Sequence, residues 1–242
     1  MANLIERLFA AGAHFGYAPR YRHPGAAQFL FGQKGGVEIF DLEQTAARLE
    51  EALAFIKGLA QRRGTILFVG GQPQARAELV RTAERLNMPY SMPRWIGGTL
   101  TNWGEIKKRL ARLADITTQR EKGELAKFTK RERLLMDREA ADLELMFGGL
   151  RSVQKLPDAL FVIDPRHYDK AVEEARKLGI PVIALMNSDC DSSVATYPIP
   201  GNDASREAIA LVLGEVATTY SENLGAAPLP AQAGAPVEPQ KA

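Results

Sequence analysis

Cysteine occurs once in this chain, at Cys190, so no intramolecular disulfide framework can form. Histidine is scarce as well, and His14, His23 and Cys190 lie in separated segments without metal-ligand spacing. No apolar run reaches membrane-spanning length, and the start Met1-Ala2-Asn3-Leu4-Ile5-Glu6-Arg7 has no charged region leading into an apolar one. These absences point to a protein of the reducing cytoplasm with no membrane partner. Catalytic signatures are missing too. There is no G-x-G-x-x-G, no P-loop lysine, no G-x-S-x-G elbow and no carboxylate run opposite a histidine. Neither a catalytic residue, a metal ligand nor a cofactor is therefore assigned.

What remains is an ordinary globular composition, 45% hydrophobic and 25% charged over 242 residues, enough for a sizeable core. Gln28–Phe31 and Val37–Asp41 flank Gly32-Gln33-Lys34-Gly35-Gly36 and read as two strands around a glycine-rich turn with Lys34 at its tip. Leu49, Leu53, Ile56 and Leu59 give Leu42–Arg62 the spacing of an amphipathic helix. The continuous apolar run Thr65–Val69 ends in Gly70-Gly71 and leads to a helical pattern at Gln74–Leu86. That unit recurs, with a strand at Ala159–Asp164, a helix at Tyr168–Leu178 and a further strand at Ile180–Met186. Asp203 is placed to cap a last helix ending near Tyr220. Such alternation predicts an α/β fold, a flavodoxin-like or Rossmann-like parallel sheet with helices on both faces.

Two successive helical patterns, Glu105–Arg120 and Thr129–Met146, interrupt the alternation. Ile106, Leu110 and Leu113 on one, and Leu143, Met146 and Leu150 around the end of the other, form narrow apolar seams. The prediction is an inserted antiparallel helical, coiled-coil hairpin over 104–146. Segments 1–103 and 147–224 make the globular α/β domain, and 225–242, rich in Ala, Pro, Gly and Gln, forms a disordered tail. Charge follows the insertion. From Arg94 to Arg138 twelve basic residues stand against six acidic ones, a net +6, whereas the whole chain carries +2. Such asymmetry favours a polyanionic partner.

Just before the insertion, Arg94-Trp95-Ile96-Gly97-Gly98-Thr99-Leu100-Thr101-Asn102-Trp103 holds both tryptophans of the chain. Its glycines free the backbone, its indoles pack the hairpin base or stack on bases, and Thr101 and Asn102 contact phosphate or cap a helix. Tyr17, Arg20, Tyr21, Arg22 and His23 interleave aromatics with cations, as RNA-contacting loops do. His14 is expected to hydrogen-bond locally as the chain leaves its first helix. The candidate RNA-binding residues are Arg20, Arg22, His23, Lys34, Arg94, Trp95, Thr101, Asn102, Trp103, Lys107, Lys108, Arg109, Arg112, Lys130, Arg131 and Arg133.

In this order the residues resemble the bacterial form of the family of the second small-subunit ribosomal protein, from about Leu8 to about Gly214. The most specific matches are Ala11–Gly16, Phe40–Thr45, Ile66–Gly70, Arg94–Trp103, Leu156–Asp164 and Ile199–Asp203. The resemblance implies a flavodoxin-like sheet with a hairpin insertion, seated on small-subunit ribosomal RNA between head and body. It further implies translation as the process and a role in docking the large multi-OB-repeat ribosomal protein that captures messenger RNA. The family pattern is altered at Tyr17-Ala18-Pro19, at Arg22-His23-Pro24-Gly25-Ala26, at Gly71-Gln72-Pro73-Gln74 and at Asn187-Ser188-Asp189-Cys190-Asp191-Ser192. Two other classes compete on the residues alone. One is an enzyme that binds a nucleotide or phosphosugar at the strand ends Gly70-Gly71, Asp164 and Asn187-Ser188-Asp189. The other is a protein-interaction module acting through the hairpin, whose binding would depend weakly on salt.

Overall fold

A computed structural model describes residues 2–153 and 155–225. The predicted tail, apart from Gly225, lies outside them. After α1 (Ala2–Ala10), β1 (Leu30–Lys34) and β2 (Val37–Phe40) pair as an antiparallel hairpin. Its turn is Gly35-Gly36 alone, both at positive φ, the backbone that a two-residue hairpin turn requires. Lys34 therefore closes the first strand, opposite Val37, and does not sit at the tip. Gln28 and Phe29 belong to a 3-10 turn over Pro24–Phe29.

Then come α2 (Leu42–Gln61), β3 (Ile66–Val69), α3 (Pro73–Leu86), β4 (Tyr90–Ser91), α4 (Trp103–Glu121) and α5 (Lys130–Phe147). The chain ends with β5 (Ala159–Ile163), α6 (Asp169–Lys177), β6 (Val182–Met186), β7 (Tyr197–Pro200) and α7 (Arg206–Glu222). The main sheet is parallel throughout in the order β4-β3-β5-β6-β7. Numbered among themselves the strands run 2-1-3-4-5, the flavodoxin-like order, with the chain reversing direction across the sheet between β3 and β5.

Every residue of β3, β5 and β6 is buried, because helices cover both faces. Ile66, Phe68, Phe161, Ile163, Ile183 and Leu185 point toward α2, α3 and α7. Their neighbours Leu67, Val69, Leu160, Val162, Val182 and Ala184 point toward α4, α5 and α6. The two-residue period of a strand thus divides the core in two. On α7, Ile209, Val212, Leu213, Val216 and Tyr220 form the matching helical stripe.

Caps fix where the helices begin. The Asp41 carboxylate accepts the Glu43 amide at 3.0 Å and starts α2. Thr129 and Glu132 form a reciprocal capping box at the start of α5. For α7 the capping side chain is Ser205, not Asp203; Asp203 is fully buried and bonds Asn187 instead. The insertion α4–α5 supplies the crossover from β4 to β5. Ile106, Leu113, Ile116, Ala140, Leu143 and Phe147 join the core of one sheet face, so the sheet itself covers the hairpin base. Between Ile116 and Ala140 none of the described side chains is buried. No helix among the described residues is long and apolar enough to cross a membrane.

Candidate nucleic-acid interface

The predicted residues fall into two groups held by separate anchors. In the first, the chain leaving α1 runs along β2, with Gly16 donating to the Glu38 carbonyl at 2.8 Å and Glu38 to the Tyr17 carbonyl at 3.0 Å. Ser188, just after β6, fixes the segment from Tyr17 to His23. Its hydroxyl accepts the Tyr17 amide at 3.1 Å and its carbonyl accepts the His23 amide at 2.8 Å. Arg20 is exposed, its guanidinium 4.6 Å from the centre of the exposed Tyr21 ring. Arg22 lies 3.3 Å from the buried carboxylate of Glu38, and Lys34 is exposed. His23 turns inward, its Nδ1 accepting the Gly25 amide at 3.1 Å as the cap of the 3-10 turn. His14 does not make the expected hydrogen bond. Its Nδ1 is buried without a partner and its ring stacks on Phe9 at 4.6 Å. Burial, and then the charge of Lys34, hold its pKa below the usual histidine value.

The second group hangs on Glu174 of α6, a carboxylate only 7% exposed. Its Oε1 accepts the Trp95 indole N–H at 3.0 Å and the Gly98 amide at 2.7 Å. Its Oε2 accepts the Leu100 amide at 2.9 Å and the Thr101 amide and hydroxyl, both at 3.1 Å. Burial alone would raise the Glu174 pKa, but the bonds from Trp95, Gly98, Thr101 and Leu100 outweigh it and hold the group below its ordinary value. The loop therefore wraps an internal anion. Thr101, read from sequence as a phosphate ligand or cap, has both its donors on Glu174. Asn102 occupies the N-cap position of α4 without a side-chain bond. Both tryptophans are half-buried against the core beneath the hairpin, so they pack its base. Arg94 is exposed at the edge of the loop.

Beyond the loop, Lys107, Lys108, Arg109, Arg112, Lys130, Arg131 and Arg133 are all exposed. Lys108 pairs with Glu105 at 2.6 Å, and Arg112 grips Glu139 through two bonds at 3.0 and 2.8 Å. Arg120 pairs with Asp137 across the two helices. Lys107, Arg109, Lys130, Arg131 and Arg133 have no acidic partner within salt-bridge distance among the described residues. The fold also corrects the charge reading. The interval Arg94–Arg138 stops short of Glu139, Asp142 and Glu144, which belong to α5. From Trp103 to Phe147 there are eleven basic and nine acidic residues, only +2. The excess is distal: Arg120–Arg133 carries six basic residues against three acidic ones. That stretch is the end of the hairpin farthest from the buried seam.

The strand ends where an enzyme of this fold would bind its ligand are occupied by the protein itself. At the β3/β5 reversal the Gly71 amide donates to the Tyr168 hydroxyl, which donates to the Pro93 carbonyl at 3.2 Å. A Cβ on Gly71 would stand 1.8 Å from that carbonyl oxygen. Asp164 accepts the His167 amide at 3.0 Å and the Gln72 side-chain amide, as a turn cap does. A cleft near the end of β6 is lined by Asp169, Glu173, Asp189 and Asp191 against Arg166 and Arg176, a poor match to a phosphate. Asp164, Cys190 and Asp203 converge, which the sequence did not signal; His14, His23 and Cys190 are not grouped in this way among the described residues.

Glu174 is the residue that sequence reasoning missed. It is one of two adjacent glutamates on a charged helix, and its donors lie 73 to 79 positions away. The family model for ribosomal protein S2 matches residues 8–223, nearly the whole of the described chain. A parallel sheet in flavodoxin-like order, a helical-hairpin crossover and this match agree, and the chain belongs to the ribosomal protein S2 family, structural constituents of the small ribosomal subunit in translation.

Proposed function

We propose that the chain binds small-subunit ribosomal RNA through two cationic surfaces held rigid by one α/β body. The observation that carries this reading is the row of exposed cations without acidic partners at the far end of the hairpin, Lys130, Arg131 and Arg133. Cations that lack an acidic partner are free to displace counterions from phosphate, and they keep their side chains ready for it. Arg20, over the Tyr21 ring, and the exposed Lys34 are the cations assigned to the second surface. Folded RNA is met by shape and phosphate position, so short-sequence specificity is low. The protein contact implied by the resemblance, docking of the large multi-OB-repeat neighbour, falls to the exposed apolar cluster Phe9, Phe15 and Phe31, which are 63%, 46% and 82% exposed.

The test is affinity purification of the chain from its own cells, followed by gradient sedimentation and sequencing of bound RNA at low and high salt. Co-migration with small-subunit particles and their RNA, lost steeply as salt rises, is the expected result. Migration as a free protein on an otherwise intact gradient would refute it.

A further inference from the structure

At the amino ends of β3 and β4, opposite the strand ends where this fold binds ligands, α2, α3 and α7 finish around a cleft of about 410 Å³. Its polar lining is Arg63, Thr65, Arg85, Asn87 and Ser221, together with Tyr220, and none of its lining residues is acidic. The Tyr220 hydroxyl is already engaged, donating to the Gly64 carbonyl at 2.9 Å. Arg63 and Arg85 are exposed and have no acidic partner among the described residues. Asp158, the acid whose charge reaches Tyr220, pairs instead with Lys155 at 3.4 Å. The Arg63 Nε donates to the Gly225 carbonyl at 2.9 Å, which orients the guanidinium and leaves its two terminal amino groups without a bond among the described residues. Neither arginine has a part in the RNA contacts proposed above.

Arg63 also stands where the backbone disfavours it. Its amide donates to the Ala60 carbonyl at 3.0 Å and the Gly64 amide to the Leu59 carbonyl at 2.9 Å, the paired bonds of a Schellman ending, in which the first residue past the cap is left-handed and usually glycine. Helix α3 ends in the same way on Asn87, and both residues have φ of 54°. Asparagine adopts that backbone readily, whereas arginine has no local bond that favours it. A strained position filled by a long side chain implies a use for that side chain. Helix carboxyl ends attract cations, which keeps the guanidiniums at the cleft, but a lysine would serve that purpose equally. The planar fork of arginine, with several N–H donors left over, matches the oxygens of a phosphate two at a time. We infer that Arg63 and Arg85 form a binding site for one phosphate group, a backbone phosphodiester of the RNA, with Asn87 and Ser221 as further donors at its lip. The inference rests on the RNA-binding reading and adds a third contact to it. That contact lies at the other end of the sheet from Arg20, whose segment is held by Ser188 just after β6.

The experiment titrates the full chain with inorganic pyrophosphate, following the arginine Nε–H signals by NMR, and separately measures its affinity for small-subunit ribosomal RNA by filter binding over a range of salt. The expected result is a saturable shift of the Arg63 and Arg85 signals with pyrophosphate. Arg63→Gly, which supplies the residue the backbone favours, keeps or raises the melting temperature yet weakens pyrophosphate binding about tenfold. It also removes about one phosphate from the salt dependence of RNA binding, and Arg85→Gln does the same. No saturable shift, or unchanged pyrophosphate affinity in both variants, overturns the site. A lower melting temperature for Arg63→Gly with both affinities unchanged also overturns it, because the arginine then serves the helix ends alone. Pyrophosphate binding lost in the variants with RNA affinity and salt slope unchanged keeps the phosphate site and overturns RNA as its source. A chain that binds no ribosomal RNA refutes the RNA-binding reading itself, and the pyrophosphate titration still decides the site.

Discussion

Replacing Glu174 by alanine removes one acceptor pair and releases five donors at once: the Trp95 indole, the amides of Gly98, Leu100 and Thr101, and the Thr101 hydroxyl. Hydrogen bonds to a charged group contribute about 1.5–3 kcal/mol each, and a buried donor left without a partner costs about 1–3 kcal/mol. The five cannot be summed, because they share one anion and fall away together. Thr101 is exposed and regains water, whereas the Leu100 amide sits on a residue only 4% exposed and does not. A net loss of about 3–5 kcal/mol is expected, as for removing one partner of a buried charged pair. In a domain of this size that lowers the melting temperature by about 6–20 °C. Glu174→Gln keeps one acceptor oxygen but turns donors toward donors, and should lose about 2–3 kcal/mol. Acidity probes the same bonds. Because the folded pKa lies below the ordinary 4.5, the carboxylate's contribution is complete above that value and disappears as pH falls through the lower folded one. The assay is thermal unfolding by circular dichroism with tryptophan fluorescence, which reports on Trp95. A melting temperature within about 1 °C of the unmodified chain for Glu174→Ala would refute the anchoring role, given the 2–4 °C expected per kcal/mol.

Gly71→Ala should be destabilised by about 2–3 kcal/mol through backbone overpacking, since the new Cβ meets the Pro93 carbonyl; unchanged denaturant unfolding would contradict the close approach. Reversing Lys130, Arg131 and Arg133 together to glutamate should weaken ribosomal RNA binding about 10–100-fold at moderate salt and flatten the salt dependence by about two to three phosphates. Equal affinity in filter binding, with the fold intact by circular dichroism, would remove the hairpin end from the interface. Asp41→Ala should cost about 1 kcal/mol through loss of the α2 cap, measured by urea unfolding, and Asp41→Asn should restore most of it.

How much of the fold is legible in the sequence differs from strand to strand. β3, β5 and β6 show as unbroken apolar runs because both of their faces are covered. β4 has two residues, too few for any period, and β7 reads Tyr-Pro-Ile-Pro, where the prolines argue against a strand. They are tolerated because β7 is the sheet's edge, where an outward-facing position needs no N–H. The hairpin is visible as a broken alternation, but an interval that stops at Arg138 overstates its charge, because helix α5 continues into acids beyond that point. Cationic loops are visible as composition. The carboxylate that shapes one of them is not, because its partners are mostly main-chain amides, which every residue but proline carries. The meeting of Asp164, Cys190 and Asp203 likewise depends on three separate strands ending side by side, a property of topology and not of spacing.

The hairpin that crosses from β4 to β5 is also a lever. Its fulcrum is the buried seam from Ile106 to Ile116 against Ala140 to Phe147, clamped to α6 through Glu174, and its free arm carries the exposed cations. The second helix projects beyond that seam over Lys130–Glu139, about 15 Å, and a tilt of about 10° at the seam displaces its far end by about 3 Å. On the proposed RNA-binding reading, stiffness at the fulcrum sets which phosphates the far end would meet, and a substitution as remote as Glu174 would shift that contact without touching a single cation.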